Sequence, residues 1–270
     1  MAVPIPPPAP PPPRFPSPQT TVAANAPSLA EEIGYLVEPL CNRANEQDKS
    51  VYSLVHDVNP VLQQGPMCGL VALSIASQLL TGVAYPPHKL LSSARGRGYS
   101  VNGEMFSAQH LLDLAISELQ CTGTLVNTST VNTGDILTAI AERSALVVPY
   151  DADKDHSPCL ARGHRAHWAT LVGFAILAKS PPSVTPRTHI ELSPVEFKIE
   201  PFQELKSDEV YVFARQGKSR HLGLWGLPGL LESNANLMDA GDRRSPTHYV
   251  IPSHGLCQSL ASLILHLITY

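Results

Sequence analysis

The segment spanning residues 63–73, QQGPMCGLVAL, constrains the fold most, because a sharp turn there leads straight into an apolar helix. Gly65 and Pro66 favour the turn, and the apolar run predicts a helix from Cys68 to about Leu80. A thiol at a helix start faces free backbone N–H groups and the positive end of the helix dipole, which favour the thiolate. Cys68 is therefore a candidate nucleophile. The alternative is a small buried hydrophobe, which is what most free cysteines are.

A histidine about a hundred residues later supplies the partner that such a thiol needs. His167 opens an apolar run, residues 167–173, whose pattern predicts a strand with His167 and the small Ala169 on one face. An imidazole at that place can take the thiol proton and later donate it to a leaving amine. The side-chain amide of Gln63 can donate to the oxyanion that forms when a thiolate attacks a carbonyl. Together these residues predict acyl transfer.

Short motifs spread over roughly residues 60–257 carry a resemblance to a known family. Besides residues 63–73 they are GEMFS (103–107), PYDAD (149–153), GHRAHWA (163–169), QGKS (216–219), ESN (232–234) and YVIP (249–252). At these residues the chain resembles papain-like cysteine peptidases, more narrowly the C39-like group, and most closely the actin maturation protease family. The resemblance implies an aminopeptidase that removes an N-acetylated methionine or cysteine from immature actin, with Cys68 as nucleophile and His167 as base.

The residue that orients His167 is the part of the site where the pattern is incomplete. Trp225 is followed by Gly226, where the family can carry an aspartate. We predict that Asn234 takes this role, because an asparagine suffices to hold an imidazole tautomer in papain-type sites. Asn236, Asp239, a water molecule or a backbone carbonyl are the alternatives.

Four basic residues are predicted to bind an acidic substrate. They flank the histidine segment or the QGKS turn: Arg162, Arg165, Lys218 and Arg220. The competing interpretation is ordinary solvated surface charge.

No cofactor or metal is predicted for the site. Histidine and cysteine are typical zinc ligands, and four of them lie close together in the sequence: His156, Cys159, His164 and His167. Their spacing is not one of the usual paired patterns of zinc sites. A structural zinc site is therefore the minor alternative. No phosphate-binding glycine loop is present, since the RGRG run at residues 95–98 lacks the required spacing and lysine.

Composition narrows the class and the compartment. A formal net charge of −4 argues against a nucleic-acid binder. Five cysteines scattered over 270 residues do not make a disulfide framework, so we expect a reducing, cytoplasmic setting. No signal peptide is expected, because the proline-rich N-terminus lacks a continuous apolar core. The apolar run of residues 259–270 is too short to span a bilayer and is predicted to be a terminal core element, with an interfacial helix as the alternative.

The first 20 residues hold ten of the chain's 26 prolines. We predict a disordered, polyproline-type tail over residues 1–25. Such runs dock into aromatic grooves, and SH3 or WW domains are eligible partners. The family resemblance adds profilin, which binds such runs and also carries actin.

The predicted fold is α+β with a papain-like, C39-like layout: helices gather in the first half, and an antiparallel sheet forms the second. Residues 26–58 are predicted to be a helical extension, with its helix at residues 29–45 interrupted at Pro39, and residues 59–258 the peptidase domain. Further helices are predicted after Ser107 and Thr133. Strands are predicted at residues 145–150, 167–173, 209–215, 220–225 and 248–251, with a hairpin turn at 216–219 and an insertion loop at 178–208.

Two other functions stay open from the sequence. A C39-like endopeptidase or deamidase with another substrate would use the same thiol and imidazole. A catalytically idle adaptor, recruited through the polyproline tail, would use neither.

Overall fold

A computed structural model of the chain describes residues 27–179, 209–241 and 249–269. Its helices are α1 (Leu29–Glu46), α2 (Cys68–Thr81), α3 (Pro87–Gly96), α4 (Ala108–Leu119), α5 (Thr133–Ala141), α6 (Leu227–Ala235) and α7 (Leu256–Ser259). Its strands are β1 (Ser50–Val55), β2 (Cys121–Asn127), β3 (Ala145–Ala152), β4 (Pro158–Cys159), β5 (Ala166–Ala178), β6 (Val210–Gln216), β7 (Gly223–Gly226) and β8 (Leu263–Thr269).

The helix boundaries follow from local chemistry. The side chain of Ser107 accepts from the His110 N–H and caps α4, and Asn132 caps α5 through the Asp135 N–H. Helix α2 ends at Gly82, whose φ of 78° is the left-handed conformation that glycine adopts without a Cβ penalty. Residues 69–79 of α2 are all buried, so this helix is enclosed on every side.

The strands in the described residues form one antiparallel sheet in the order β2-β8-β3-β5-β6-β7. Strand β5 is the longest and has two partners on one edge: β3 pairs with residues 166–171, and β1 pairs with residues 173–178. Strand β6 pairs along its other edge. Strand β5 therefore organises the sheet, and His167 stands near its first residue.

Helices cover both faces of this sheet. On one face, α1, α2 and α4 pack against Trp168, Val172 and Phe213. On the other face, α5 and α6 pack against a second apolar cluster that includes Tyr150 and Trp225. Burial of apolar surface on both sides is the main stabilising contribution to such a layered fold.

The α+β class is confirmed, and so are the helices predicted at Cys68, Ser107 and Thr133. The last of these is capped by Asn132, one residue before Thr133. The division into a helical first half and a sheet second half was too simple. Strands β1 and β2 come from the first half and pair with β5 and β8, while α6 lies in the second half. The predicted helical extension thus ends in a strand of the central sheet.

Other boundaries are also corrected. Helix α1 continues through Pro39 without interruption, from Leu29 to Glu46. Residues 249–251 form no strand. The terminal apolar element is β8, which lies between β2 and β3, so the interfacial helix is wrong. The predicted tail (1–25), nearly all of the insertion loop (178–208) and residue 248 lie outside the described residues.

Within the described ranges, no helix is long and apolar enough to cross a bilayer.

Candidate active site

Cys68 is the first residue of α2, as the sequence predicts. The turn before it depends on Gly65, which has a φ of 73°, and the Met67 N–H donates to the Gly65 carbonyl oxygen at 3.0 Å. Among the described residues, no side chain caps this helix start. The N–H groups of the first turn point along the helix axis, as at any helix start, and favour an anion near the thiol.

Glycines let the surroundings approach α2 closely. A Cβ at Gly69 would lie 3.1 Å from both the Met105 Cβ and the Trp168 Cδ1, and the Trp168 indole N–H donates to the Met105 carbonyl at 3.0 Å. A Cβ at Gly103 would come within 2.6 Å of the Met67 Cγ. The GEMFS motif thus supports the turn that presents Cys68.

His167 lies near the start of β5 and is 3% exposed. Its register partner in β3 is Tyr150, and the two rings meet edge to face with centroids 5.9 Å apart. Burial raises the pKa of Tyr150 well above its usual value, and the negative charge of a Cys68 thiolate contributes in the same direction. Tyr150 therefore packs directly against the imidazole of His167.

A glutamine that sequence reasoning did not assign to the site contacts the imidazole. The Nε2 atom of His167 lies 3.2 Å from the Oε1 atom of Gln216, at the end of β6. The backbone N–H of Lys218 donates to the same Oε1 atom at 2.7 Å. Because the Lys218 N–H donates to this Gln216 atom, the atom is assigned as the amide oxygen, which accepts hydrogen bonds. The Nε2 atom of His167 must then donate to it, so the neutral ring carries its hydrogen on Nε2 and its lone pair on Nδ1.

The same turn also holds Gln63. The Gln63 N–H donates to the Gly217 carbonyl at 2.8 Å, and a Cβ at Gly217 would lie 2.9 Å from the Gln63 Oε1 atom. One N–H of the Gln63 amide donates to the Gly65 carbonyl at 2.8 Å. Consecutive residues 216 and 217 therefore contact the predicted base and the predicted oxyanion donor.

The electrostatics of the pocket favour a neutral imidazole. Burial, and to a smaller extent the positive charge of Lys218, lower the pKa of His167 to about 4, although the hydrogen bond that the ring donates to Gln216 acts in the opposite direction. A neutral ring near pH 7 can accept a thiol proton.

Asn234 does not orient His167, which corrects the sequence prediction. It is fully buried in α6, where its amide donates to the carbonyls of Pro149 (2.9 Å) and Leu263 (3.1 Å) and accepts from the Thr128 hydroxyl. These bonds occupy both amide hydrogens and join three parts of the fold. The place beside His167 belongs to Gln216.

The other two alternatives for this role also have different partners. Asn236 accepts from the Arg162 N–H at 2.9 Å, and Asp239 lies 2.7 Å from the His164 Nε2 atom. One sequence signal could have indicated Gln216, since this residue opens the QGKS motif.

The four basic residues predicted to bind substrate fall into two groups. Arg162 and Arg165 line an open cavity of about 490 Å³ together with Asp153, Cys159, Leu160, Ala161 and His164, and neither Cys68 nor His167 lines it. Arg165 forms an ion pair with Asp153 at 2.6 Å. Lys218 and Arg220 are exposed on the loop between β6 and β7. Lys218 is the basic residue whose charge acts on His167.

The residues considered for zinc have separate roles. His164 contacts Asp239, the His156 carbonyl accepts from the Tyr150 hydroxyl, and Cys159 lies in β4. No group of three or more His, Cys, Asp or Glu side chains in the described parts of the chain could hold a metal ion.

A buried carboxylate shapes the loop that leads into β5. Asp151 accepts from the backbone N–H groups of Ala161, Gly163 and Arg165 at 2.8–3.0 Å. Sequence reasoning noted Asp151 only as part of a motif. Its contacts fix the approach to His167.

Comparisons with known proteins identify the family of the chain. A family model described as actin maturation protease-like, C-terminal domain, matches residues 58–175. The actin maturation protease of Danio rerio is 34% identical over 230 residues, covering 78% of this chain and 73% of that protein. The Xenopus tropicalis protein is 32% identical (87% and 79% covered), and the Homo sapiens protein is 33% identical (77% and 63% covered).

A solved structure, a putative C39-like peptidase from Bacillus anthracis, aligns with a TM-score of 0.38 and 12% identity, over 81% of this chain and 98% of its own. That superposition is too loose to carry an argument.

The sequence relatives define the class of protein: the chain is a peptidase. More narrowly, it belongs to the actin maturation protease family.

Proposed function

We propose that this peptidase is a cysteine aminopeptidase that removes N-acetylated methionine, or acetylated cysteine, from the N-terminus of immature actin. Family membership supports the substrate. The observation that carries the chemistry is one turn, where Gln216 contacts His167 and Gly217 packs against Gln63, five residues before Cys68.

In the proposed reaction, the Nδ1 atom of neutral His167 takes the proton of the Cys68 thiol. The thiolate sulfur attacks the carbonyl carbon of the bond after the acetylated residue, and the carbonyl electron pair moves to oxygen. The second N–H of the Gln63 amide and the positive end of the α2 dipole stabilise that oxyanion. The imidazolium then protonates the leaving amine, and a thioester to Cys68 remains.

Water completes the cycle. Neutral His167 removes a proton from water, which attacks the thioester carbonyl. The thiolate leaves and takes this proton back from the imidazolium, which restores the Cys68 thiol and neutral His167 as the acetylated amino acid is released. Gln216 holds the imidazole in one tautomer through both steps, because its oxygen accepts from Nε2. An acetylated terminus has no charge, so no carboxylate is needed to hold a free amine.

The finer features of the proposal concern substrate charge and partners. Lys218 is the best placed of the four cations to attract an acidic residue near the scissile bond, since its charge already reaches His167. The proline-rich segment supplies a binding site for profilin, supported by its composition. None of the five cysteines, all of which lie in the described residues, forms a disulfide, which fits a cytoplasmic protein.

The test compares wild type with Cys68→Ala on an N-acetyl-Met-Asp-Asp-Asp peptide, its unacetylated counterpart and intact acetylated actin, with N-termini read by mass spectrometry. Loss of acetyl-methionine that requires both Cys68 and the acetyl group supports the proposal. If neither acetylated substrate is trimmed while Cys68 alkylates selectively, an endopeptidase or deamidase with another substrate is favoured. Equal alkylation of all five cysteines favours the adaptor.

A further inference from the structure

A buried ion pair joins the N-terminal helix to the turn that carries the site. The carboxylate of Glu32, in the first turn of α1, lies 3.6 Å from the Arg215 guanidinium near the end of β6. Their side chains are 14% and 6% exposed, respectively. Burial lowers the pKa of Arg215, and the charges of Glu32 and Asp57 oppose this effect. A buried guanidinium depends on such a partner to stay in place.

The pair holds the far end of the loop between β6 and β7. The other oxygen of Glu32 accepts from the Leu222 N–H at 2.8 Å, and the Arg215 guanidinium donates to the Arg220 carbonyl. His221 adds a contact to Glu32 at 3.2 Å. The last residues of the loop are thus fixed by a side chain from α1.

The near end of the same loop carries the catalytic contacts. Gln216 meets His167, and Gly217 packs against Gln63. Arg215 adjoins Gln216 in the chain and points to the opposite face of β6, as successive strand residues do. A displacement of Arg215 therefore also displaces the backbone of Gln216 and changes the position of its side-chain oxygen relative to His167.

Helix α1 is attached along the length of β6. Near its other end, the Arg43 guanidinium donates to the Tyr211 hydroxyl at 2.5 Å, and Lys49 beyond the helix pairs with Glu209. These contacts leave the helix little freedom to slide relative to β6. The family model matches residues 58–175, so α1, β6 and the loop after β6 all lie outside the part that it matches.

We infer that Glu32 is a positioning residue of the active site: through Arg215 and the β6–β7 loop it keeps Gln216 against His167. This inference rests on the proposed thiol chemistry, but not on the identity of the substrate. Displacements of about 1 Å in a catalytic group can cost up to a hundredfold in rate, so a contact outside the pocket can matter.

The test variant is Glu32→Gln, which keeps an oxygen for the Leu222 N–H but removes the charge that faces Arg215. The matched control is Glu38→Gln, which makes the same charge change at an exposed position of the same helix. Two rates are measured: trimming of the acetylated peptide, split into kcat and KM, and iodoacetamide alkylation of Cys68, which needs no substrate. We expect kcat and the alkylation rate to fall about tenfold in Glu32→Gln, with KM within about twofold.

A double-mutant cycle with Gln216→Ala separates positioning from general stability. If Glu32 acts through Gln216, adding Glu32→Gln to Gln216→Ala should lower either rate by less than about twofold further. Fully multiplicative effects, or a Glu32→Gln enzyme equal to the Glu38→Gln control, would overturn the inference. If Glu32→Gln does not fold, as judged by circular dichroism, Glu32→Asp replaces it in the same cycle, because it retracts the carboxylate by one methylene and retains the charge.

Failure of the proposed substrate gives a different pattern. In that case the wild type leaves the acetylated peptide intact, while alkylation of Cys68 still reports on the cycle. If wild-type Cys68 is not selectively alkylated, the thiol chemistry itself fails and the inference falls with it.

Discussion

Burial of His167 makes the stability of the fold depend on pH in a way that one variant can isolate. The folded-state pKa is about 4, compared with about 6.5 in an unfolded chain. Between these values the unfolded state binds more protons, so the free energy of unfolding falls as pH drops from 6.5 towards 4. From these two pKa values, His167 lowers the stability by about 2 kcal/mol at pH 5, compared with almost nothing at pH 7.5.

The measurement is urea unfolding of wild type and His167→Gln at pH 7.5 and pH 5.0. Other histidines with lowered pKa values, such as His56 and His266, titrate in both proteins and cancel in the difference. We expect wild type to lose about 2 kcal/mol more stability than the variant between the two pH values. Parallel losses would refute the burial argument. A smaller loss in wild type would mean that a thiolate–imidazolium pair raises the pKa of His167.

Three further substitutions test single contacts of the site. Gly217→Ala places a Cβ 2.9 Å from the Gln63 Oε1 atom, so we expect kcat to fall about tenfold. The control Gly229→Ala adds a Cβ that meets nothing within 4 Å and should leave kcat unchanged. Equal kcat values in the two variants would contradict this prediction. Asn234→Ala should cost about 2–3 kcal/mol in urea unfolding with kcat/KM of the folded enzyme nearly intact, and a stable but inactive variant would return Asn234 to the catalytic site. Lys218→Gln should raise KM severalfold for an acidic peptide and not for an alanine-substituted one; equal effects on both would remove Lys218 from substrate recognition.

Local features of the fold could be predicted because their causes lie within a few residues. The helix at Cys68 follows from a glycine-proline turn and an apolar run, and its end at Gly82 follows from the glycine itself. The cap at Ser107 needs only the N–H of His110. Such elements form from short-range hydrogen bonds and propensities, which the sequence displays directly.

Long-range pairing could not be predicted in the same way. The sequence predicts β1 as the end of a helical extension, but its residues form a strand because β5 extends far enough to pair with them. Likewise, β8 reads in sequence as a terminal apolar run, and its pairing with β2 and β3 is what makes it a strand of the sheet. The sequence predicts that a strand ends at Gly173. In the structure it is the position where the neighbour of β5 changes from β3 to β1, and a Cβ there would lie 2.3 Å from the Leu54 carbonyl oxygen.

The assignment of Gln216 rather than Asn234 depends on an irregularity that no local pattern reveals. Between Leu171 and Gly173 the pairing of β5 with β6 shifts by one residue, which places Gln216 opposite Ala169 and hence on the face of His167. With the register of residues 173–176 continued unshifted, Gly217 would stand opposite Ala169, and Gln216 would point to the face of Trp168. A one-residue bulge therefore selects which polar side chain meets the imidazole.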